Sequence, residues 1–475
     1  MAECKKLSPE ELANTDGGVL IARRAAAVKY EDLSEAEVLM TKKAILDTLG
    51  CIIGGSGLGN RCTDFVEMAN ETGGKPEATI LGWGGKYPAL YAAAANGGMA
   101  HTLDFDDTIP ETGHQSAGTL PATLAAIEYM GGATGKELIT AMACGADMVC
   151  RLHKCCPTST AMGWVGTATT GIFGGAVGAA KAMGLDEDGI AHAIGWALWQ
   201  ASFSGQVLNE TGSDAREVYA AFSQSYGFLS ALLAKRGMKS CVNSIEGKDG
   251  LFNKYYRPFD SVDPQYIKVQ PGDVFEGVNG QIKPWCSCGQ THGYIQAVKS
   301  LMAEYGFKAD DVKEVFVKVG DLGKKLSESY EARYVPKKAN DARFSIPYTL
   351  ACTLLDGDVT LGCFLPENLE KHYETAAKVK WEYDEATAND PNCKGLEPAY
   401  VKITLNDGTV YEKTVTFPYG HPKNPMTMED ICNKFRDCCS YSKKKMSSKD
   451  VEKVIELCLN LENVEDVSEI IALVS

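Results

Sequence analysis

The stretch NGGMAHTLDFDDTIPETGHQSAGTLPATLA at residues 96–125 combines charged side chains with an apolar continuation. It holds two of the chain's seven histidines, His101 and His114, around three aspartates. Apolar residues alternate with the aspartates, so the carboxylates do not form one solvated stripe. Several carboxylates beside a histidine are consistent with an acid–base cluster. The alternative is a solvated loop in which Ser116 caps a helix that begins near Gly118.

Around this stretch, from about residue 18 to residue 240, the sequence predicts helices. In the segment 35–51, Val38, Ile45 and Leu49 recur at helical spacing and would share one face. Glycines stand between alanine-rich runs at positions that predict helix ends. The alanine-rich runs lie at 88–95, 117–128, 138–150, 172–183, 189–203 and 218–235.

The pattern changes after about residue 260. Residues 312–319 and 400–405 alternate apolar and polar side chains, and an Asn-Asp-Gly turn leads from the second run to 410–415. These are the signals of half-buried strands and of a hairpin. Helical stretches at 294–305 and 346–355 lie between them, so this part predicts an α+β domain. The tail from about residue 426 is helical again.

Length and charge narrow the class of protein. A chain of 475 residues exceeds one compact core and predicts two or three domains. A net charge of −15 and a pI near 5.1 argue against a nucleic-acid partner, which usually requires a basic surface. They do not argue against an anionic substrate, because local basic groups bind anions within acidic proteins.

Three features bear on location. The first residues lack the apolar core of a signal peptide, and the uncharged segment 161–180 is rich in glycine and threonine. We therefore expect a buried helix at 161–180 and no membrane association. The 17 cysteines, without a secretory signal, predict reduced thiols in the cytoplasm and no disulfide framework.

Two further motifs have plainer explanations. GGSGLG at 54–59 superficially matches a dinucleotide loop, but it follows a helical pattern and predicts a helix stop and turn. WCSCGQTH at 285–292 could supply Cys286, Cys288 and His292 to a metal, although no second cysteine pair accompanies it.

Together these blocks resemble the 2-methylcitrate dehydratase, or MmgE/PrpD, superfamily. Residues 96–108, with His114 and the helix after Pro121, are similar to the family signature. Other blocks follow in the family's order, so the resemblance covers nearly the whole chain. These blocks lie at 44–50, 171–186, 227–237, 282–285, 342–348, 420–426 and 434–435.

The resemblance implies a mainly α fold, with a large helical domain built from both chain ends and a smaller α+β lid domain. The implied boundaries are 1–268 for the helical domain, 269–420 for the lid, and 421–475 for the C-terminal return. It also implies a homodimer, a small carboxylate substrate bound between the domains, and no metal or organic cofactor.

The resemblance also assigns site residues. Asp104, His114 and Lys283 fall on catalytic positions. His114 would move protons, Asp104 would orient it, and Lys283 would stabilise charge on a substrate carboxylate. The residues expected to contact substrate are Thr108, Arg216, Tyr348, His101, Trp164 and His292.

The chain departs from the family pattern at three places. Val165 stands where relatives commonly have a histidine, Arg216 stands near a common lysine, and Cys288 replaces a second lid histidine. His153 either supplies the missing imidazole or is a structural residue; the sequence leaves both readings open.

These departures leave several hypotheses. The first is a cofactor-independent lyase that eliminates water or a related group next to a carboxylate. An epimerase or isomerase of a small dicarboxylate, or a decarboxylase of the cis-aconitate type, are alternatives within the family. A binding protein that lost catalysis at Val165, and a metalloprotein built on the 285–292 motif, are alternatives from other classes.

Overall fold

The computed structural model describes residues 6–110, 113–157, 162–209, 213–256, 261–390 and 395–475. The chain forms two compact units. Unit 1 comprises Met1–Thr102, Asp106–Gly280 and Met428–Ser475, and unit 2 comprises Leu103–Phe105 and Gln281–Thr427. The mainly α fold class predicted from the sequence is confirmed, with helices in both units and only small sheets.

Helices dominate the chain up to Gly280, and each alanine-rich run predicted as helical overlaps one of them. A short antiparallel pair, β1 (Ala78–Thr79) and β2 (Lys86–Tyr87), interrupts the series. The helices are α1 Pro9–Asn14, α2 Gly17–Ala27, α3 Glu35–Leu58, α4 Cys62–Thr72, α5 Ala89–His101, α6 Leu120–Met130, α7 Gly135–Cys155, α8 Gly166–Ala182, α9 Glu187–Gln200, α10 Gln206–Asn209, α11 Ala215–Lys235 and α12 Leu251–Tyr255.

Small residues let these helices approach closely. A Cβ atom added at Gly145 of α7 would stand 2.6 Å from the Gly174 carbonyl oxygen of α8. Helix α8 is buried along almost its whole length, as expected for the segment 161–180. Within the described residues, no helix is long and apolar enough to cross a membrane.

Helix α3 ends within the glycine-rich motif at 54–59, as predicted. The helix continues to Leu58, and Gly59 is its C-cap. Gly55 has a packing role there, since a Cβ atom would lie 2.3 Å from the Met99 carbonyl oxygen of α5. The motif therefore serves helix packing.

Unit 1 extends to Gly280, beyond the predicted end of the N-terminal segment at residue 268. Buried ion pairs hold this extension. Asp147 of α7 accepts hydrogen bonds from Arg24 at 2.8 Å and from Arg151 at 2.9 Å. The Arg151 guanidinium also donates to the carbonyl oxygens of Tyr266 and Val274. These contacts tie the segment to α2 and α7.

Unit 2 contains a four-stranded mixed sheet with the order β4-β3-β5-β6. The strands predicted at 312–319, 400–405 and 410–415 are present, and the last two form the predicted hairpin. Strand β4 was not predicted; it pairs parallel to β3. The elements are α13 Gly289–Tyr305, β3 Val312–Val319, α14 Asp321–Lys325, α15 Tyr330–Arg333, α16 Ala339–Arg343, α17 Ile346–Asp356, α18 Tyr373–Ala376, β4 Val379–Tyr383, α19 Glu385–Ala388, β5 Ala399–Leu405 and β6 Val410–Val415.

The C-terminal segment returns to unit 1 as α20 (Met428–Ser440), α21 (Ser448–Leu459) and α22 (Ser468–Leu473). Its anchor is a buried ion pair between Lys434 Nζ of α20 and Asp47 Oδ1 of α3, 2.6 Å apart. Beside it, Gly50 gives Phe435 room, since a Cβ atom would stand 3.2 Å from the ring. The ion pair therefore joins the two ends of the chain.

We predict that Lys434→Met lowers the free energy of unfolding by about 3–5 kcal/mol, because it leaves the Asp47 carboxylate buried without its cation. Arg436→Met is the matched control, since Arg436 lies on the same helix and pairs with exposed glutamates, which predicts a loss below about 1 kcal/mol. Denaturant unfolding measures both variants. The double variant Asp47→Asn/Lys434→Met should recover much of the loss, and equal losses for Lys434→Met and Arg436→Met would contradict this account.

Candidate functional site

Two imidazoles of unit 1 converge on one buried carboxylate. His101 is the last residue of α5, and His114 lies in the loop before α6. Between them in sequence, Asp106 is fully buried, with Oδ1 3.1 Å from His101 Nδ1 and Oδ2 2.8 Å from His114 Nδ1. The rings meet edge to face with centroids 4.5 Å apart. The cluster predicted from the opening stretch is present.

The charge of Asp106 fixes what the imidazoles can do. Burial opposes ionisation, but the two histidines outweigh it and hold the Asp106 pKa well below its usual range. An ionised carboxylate accepts hydrogen bonds only, so each imidazole presents a protonated Nδ1 to it. The Nε2 atoms are then the ones that can exchange a proton, as in a carboxylate-oriented catalytic histidine.

Tyr219 of α11 is a further member of the cluster that sequence analysis missed. Its hydroxyl lies 2.6 Å from His101 Nε2, and its ring lies 4.7 Å from the His101 ring. Tyr219 packs in a small apolar cluster with Val165 and Ala168 of the α8 region. Tyrosines are common in helices and this one has no motif around it, so the sequence carried no signal.

Asp107 has a different environment from Asp106. Its carboxylate accepts hydrogen bonds from the Ser116 backbone N–H at 3.0 Å, the Ser116 hydroxyl at 2.6 Å and the Gln115 amide at 3.0 Å. Burial raises the pKa of Asp107 to about 7. The Ser116 hydroxyl is therefore committed to Asp107. The alternative interpretation, in which Ser116 caps the next helix, does not hold, because Thr119 is the N-cap of α6.

His153 of α7 has the surroundings of a structural histidine. It is buried, with Nε2 2.8 Å from the Thr170 hydroxyl of α8. Its ring fills the space beside Gly113, where a Cβ atom would stand 2.3 Å away. Burial, with the nearby His114, lowers the His153 pKa to about 3. A neutral imidazole that packs two segments together fits these contacts better than a replacement acid–base group.

Lys283 and Asp104 meet within unit 2. Lys283 is 1% exposed, and its Nζ donates to the Asp104 carbonyl oxygen and to Oδ1, both at 2.9 Å. Asp104 has φ +48°, a left-handed conformation that is uncommon outside glycine. The two hydrogen bonds from one ammonium group stabilise this conformation. Whether Asp104 orients His114 stays a prediction.

The remaining predicted residues of unit 1 are spread over several elements. Thr108 is buried in the loop after the aspartates, and Arg216 is half-buried in the first turn of α11. Trp164 precedes α8, and its indole N–H donates to the Tyr255 carbonyl oxygen at 2.9 Å. Their substrate contacts stay predictions.

Two predicted residues of unit 2 lie in its interior. Tyr348 has no exposed surface, and its hydroxyl donates to the Cys363 carbonyl oxygen at 2.7 Å. The substrate contact expected for Tyr348 stays a prediction. His292 is also fully buried, packed at 90° against Trp285, with Nε2 3.2 Å from the Ser287 carbonyl oxygen.

The donor sets that could hold a metal differ from the one considered in the sequence. In the described part of the chain, His101, Asp106 and His114 bring ligand atoms within 4.8 Å of one another, and so do Cys352, Cys363 and His372. The motif at 285–292 does not form such a group there. In the first set, His101 and His114 already make hydrogen bonds to the Asp106 carboxylate, and this geometry supports a role in acid–base catalysis.

Comparison with known proteins identifies the family of this chain. The MmgE/PrpD N-terminal domain model matches residues 19–262, and the MmgE/PrpD C-terminal domain model matches residues 285–461. The chain belongs to the MmgE/PrpD family. The predicted membership and the expectation of an enzyme are thereby confirmed.

Curated relatives of this family member align over nearly its whole length. The chain is 25% identical to a cis-aconitate decarboxylase of Aspergillus terreus, covering 98% of this chain and 97% of the relative. It is 27% identical to the cis-aconitate decarboxylase of Homo sapiens, covering 93% and 91%. It is 26% identical to that of Mus musculus, covering 93% and 90%.

We predict that His153 makes the protein less stable at acidic pH. Its folded pKa lies below the unfolded value, so only the unfolded state gains a proton as the pH falls from about 6.5 toward 3. The contribution of neutral His153 to the free energy of unfolding is complete above about pH 6.5. Between that pH and about pH 3 it falls by about 1.4 kcal/mol per pH unit. Denaturant midpoints of wild type and His153→Gln at pH 7, 6 and 5 should converge as the pH falls. Parallel midpoints would contradict the assignment.

Proposed function

We propose that the chain is a lyase that acts on a small polycarboxylate by moving a proton at a carbon next to a carboxylate. The observation that carries the proposal is the ionised, fully buried Asp106 with an imidazole on each oxygen. A carboxylate in this position orients an imidazole and stabilises it once it has gained a proton.

His114 is the principal acid–base residue in this proposal. Its side chain is 11% exposed, compared with 5% for His101, whose Nε2 already lies on the Tyr219 hydroxyl. We therefore assign proton transfer to His114 Nε2. We assign to His101 and Tyr219 the role of holding Asp106 and the first imidazole in place.

The same imidazole can serve either a dehydration or a decarboxylation. In a dehydration, His114 removes the proton on carbon, the C–H electron pair forms the double bond, and the leaving hydroxyl takes the proton from the resulting imidazolium and departs as water. In a decarboxylation, the C–C bond breaks, CO₂ leaves, and the imidazolium delivers its proton to the carbanion. Both reactions build negative charge next to a carboxylate. A cation such as Lys283, with Arg216 as a second candidate, would stabilise that charge.

Dehydration is our first assignment and decarboxylation the second. The names of the relatives support decarboxylation. These relatives are called cis-aconitate decarboxylases, and each aligns with more than nine-tenths of this chain. The departures from the family pattern weigh against a direct transfer of that activity. Val165 stands where the family commonly has a histidine, and it packs against Tyr219 in an apolar cluster. An epimerase remains the third assignment.

We propose that neither a metal nor an organic cofactor takes part in this chemistry, because side chains alone supply the base, its orienting carboxylate and the cation. Turnover that is restored only by added metal ions in folded, chelator-treated protein would contradict this point. The homodimer and the cytoplasmic location stay predictions.

We predict that purified protein in D₂O converts a member of a panel of citrate, methylcitrate, cis-aconitate, malate derivatives and amino dicarboxylates. Proton NMR separates the reactions. A new vinyl signal with retained carbon count indicates dehydration, a vinyl product with release of CO₂ indicates decarboxylation, and deuterium uptake alone indicates epimerisation. On the substrate found, His114→Ala should cut turnover by about 10²–10⁴-fold.

His192→Ala is the matched control for the histidine replacement. His192 lies on α9, where Nδ1 accepts a hydrogen bond from the Ser240 N–H, and it belongs to no cluster around Asp106. Its variant should keep wild-type turnover. Folded His114→Ala protein with full activity would refute the assignment of His114, and silence of the wild type across the panel would count against a polycarboxylate lyase.

A further inference from the structure

Four side chains with metal-binding atoms converge inside unit 2, in a part of the chain that the catalytic proposal does not use. Cys352 and Asp356 lie four residues apart on α17 and so face the same way. Cys363 and His372 follow on two short 3₁₀ turns, Leu361–Phe364 and Glu370–His372. The ligand atoms of the two cysteines and of His372 all lie within 4.8 Å of one another.

Asp356 completes the group. Its Oδ2 lies 2.7 Å from His372 Nε2 and 3.7 Å from Cys363 Sγ. The two sulfurs and one imidazole nitrogen thus form a close set, and the Asp356 carboxylate lies beside it against His372 and Cys363. The sequence spacing, Cys-x3-Asp-x6-Cys-x8-His, brings them together only because the chain turns back twice after α17.

We propose that Cys352, Asp356, Cys363 and His372 form a structural zinc site. Zn²⁺ takes four ligands in a tetrahedron, with thiolate, imidazole and carboxylate as its usual protein donors. Ligands bound at about 2.0–2.3 Å in a tetrahedron stand about 3.3–3.8 Å apart. The separation between Asp356 and Cys363 already meets this value, and the contact between Asp356 and His372 has to open by about half an ångström.

The orientation of His372 supports a ligand role for Nε2. Its Nδ1 lies 3.0 Å from the Asn368 carbonyl oxygen and 3.1 Å from the Tyr348 hydroxyl oxygen. The Tyr348 hydroxyl donates to the Cys363 carbonyl oxygen, so it accepts from His372. Nδ1 therefore carries a proton, and Nε2, 2.7 Å from Asp356 Oδ2, is the nitrogen left to bind a metal. Metal-bound histidines typically donate their other N–H in this way.

Contacts to the other ligands agree with this arrangement. The Thr360 backbone N–H donates to Cys363 Sγ at 3.4 Å, as a donor to a metal-bound thiolate does. Lys371 pairs with the second oxygen of Asp356 and offsets part of the negative charge of the ligands. Cys352 and His372 have no exposed surface, whereas the Asp356 side chain is 25% exposed and leaves an entry path for the ion.

The test distinguishes the zinc site from two other possible states of these four residues. In one, His372 is an imidazolium paired with Asp356, and both thiols stay reduced without a metal. In the other, Cys352 and Cys363 form a disulfide. Neither state binds zinc stoichiometrically, so metal content separates them from the proposal without reference to catalytic activity.

The experiment measures metals in the full-length chain purified under reducing conditions without chelator. We expect about one zinc per chain by elemental analysis. Replacement by Co²⁺ should give an intense thiolate-to-metal charge-transfer band together with the visible absorption of tetrahedral cobalt. This spectrum is recorded on the wild-type protein and does not depend on the folding of any variant. Metal-free protein after incubation with zinc, or cobalt spectra without the thiolate band, would overturn the proposal.

Variants locate the site. Cys363→Ser and His372→Gln should lose stoichiometric zinc, while Cys458→Ser, which removes a buried thiol of α21 in unit 1, should keep it. Tyr348→Phe should weaken zinc binding by about 10–100-fold, the usual effect of removing a partner of a ligand. Zinc retained at full stoichiometry in folded Cys363→Ser and His372→Gln would place the ion elsewhere and refute the assignment.

Discussion

The structure of unit 1 around its candidate site depends on one fully buried charge, the carboxylate of Asp106. A charge without exposed surface requires compensation, because burial alone strongly disfavours it. His101 and His114 provide that compensation from both sides. The end of α5 and the loop before α6 are therefore held to one geometry. The arrangement that stabilises the charge also leaves each imidazole with its Nε2 as the atom that can exchange protons.

The neighbouring carboxylate shows how strongly local partners decide the chemistry. Asp106 and Asp107 are adjacent and both fully buried, yet the pKa of Asp106 is lowered and that of Asp107 is raised to about 7. Asp106 faces two imidazoles, whereas Asp107 faces the neutral donors Ser116 and Gln115. Two identical side chains thus acquire different roles, one as an orienting anion and one as a buried structural group.

Much of the fold was predictable from the sequence, because alanine-rich helices and alternating strands carry strong periodic signals. Helix α3, the hairpin of β5 and β6, and strand β3 follow directly from their patterns. Strand β4 was missed although its five residues alternate apolar and polar side chains, because so short a run is a weak signal and the pairing with β3 defines it. The extension of unit 1 to Gly280 depends on Asp147 and Arg151 of α7 together with Arg24, which lies more than a hundred residues before them in sequence.

The candidate site was predictable only in part. His101 and His114 stand near three aspartates, so a cluster could be expected. The partner of each aspartate depends on the local backbone conformation. Asp106 contacts the two histidines, whereas Asp104, at positive φ, pairs with Lys283. Tyr219 and the group around His372 arise from residues whose separation in sequence gives no motif. Tyr348 was assigned by its position in a resembling block, and its hydrogen bond to the Cys363 carbonyl oxygen could not be read from the sequence.

The most direct test of the account is the tautomeric state of the two histidines on Asp106. Long-range ¹H–¹⁵N spectra of protein labelled with ¹⁵N-histidine report which ring nitrogen carries the proton, and His101→Gln and His114→Gln assign the two signals among the seven histidines. The account predicts that both carry a proton on Nδ1 at neutral pH. A His114 signal with the proton on Nε2 alone would contradict it, because that imidazole could neither donate to Asp106 nor accept a proton from a substrate at Nε2.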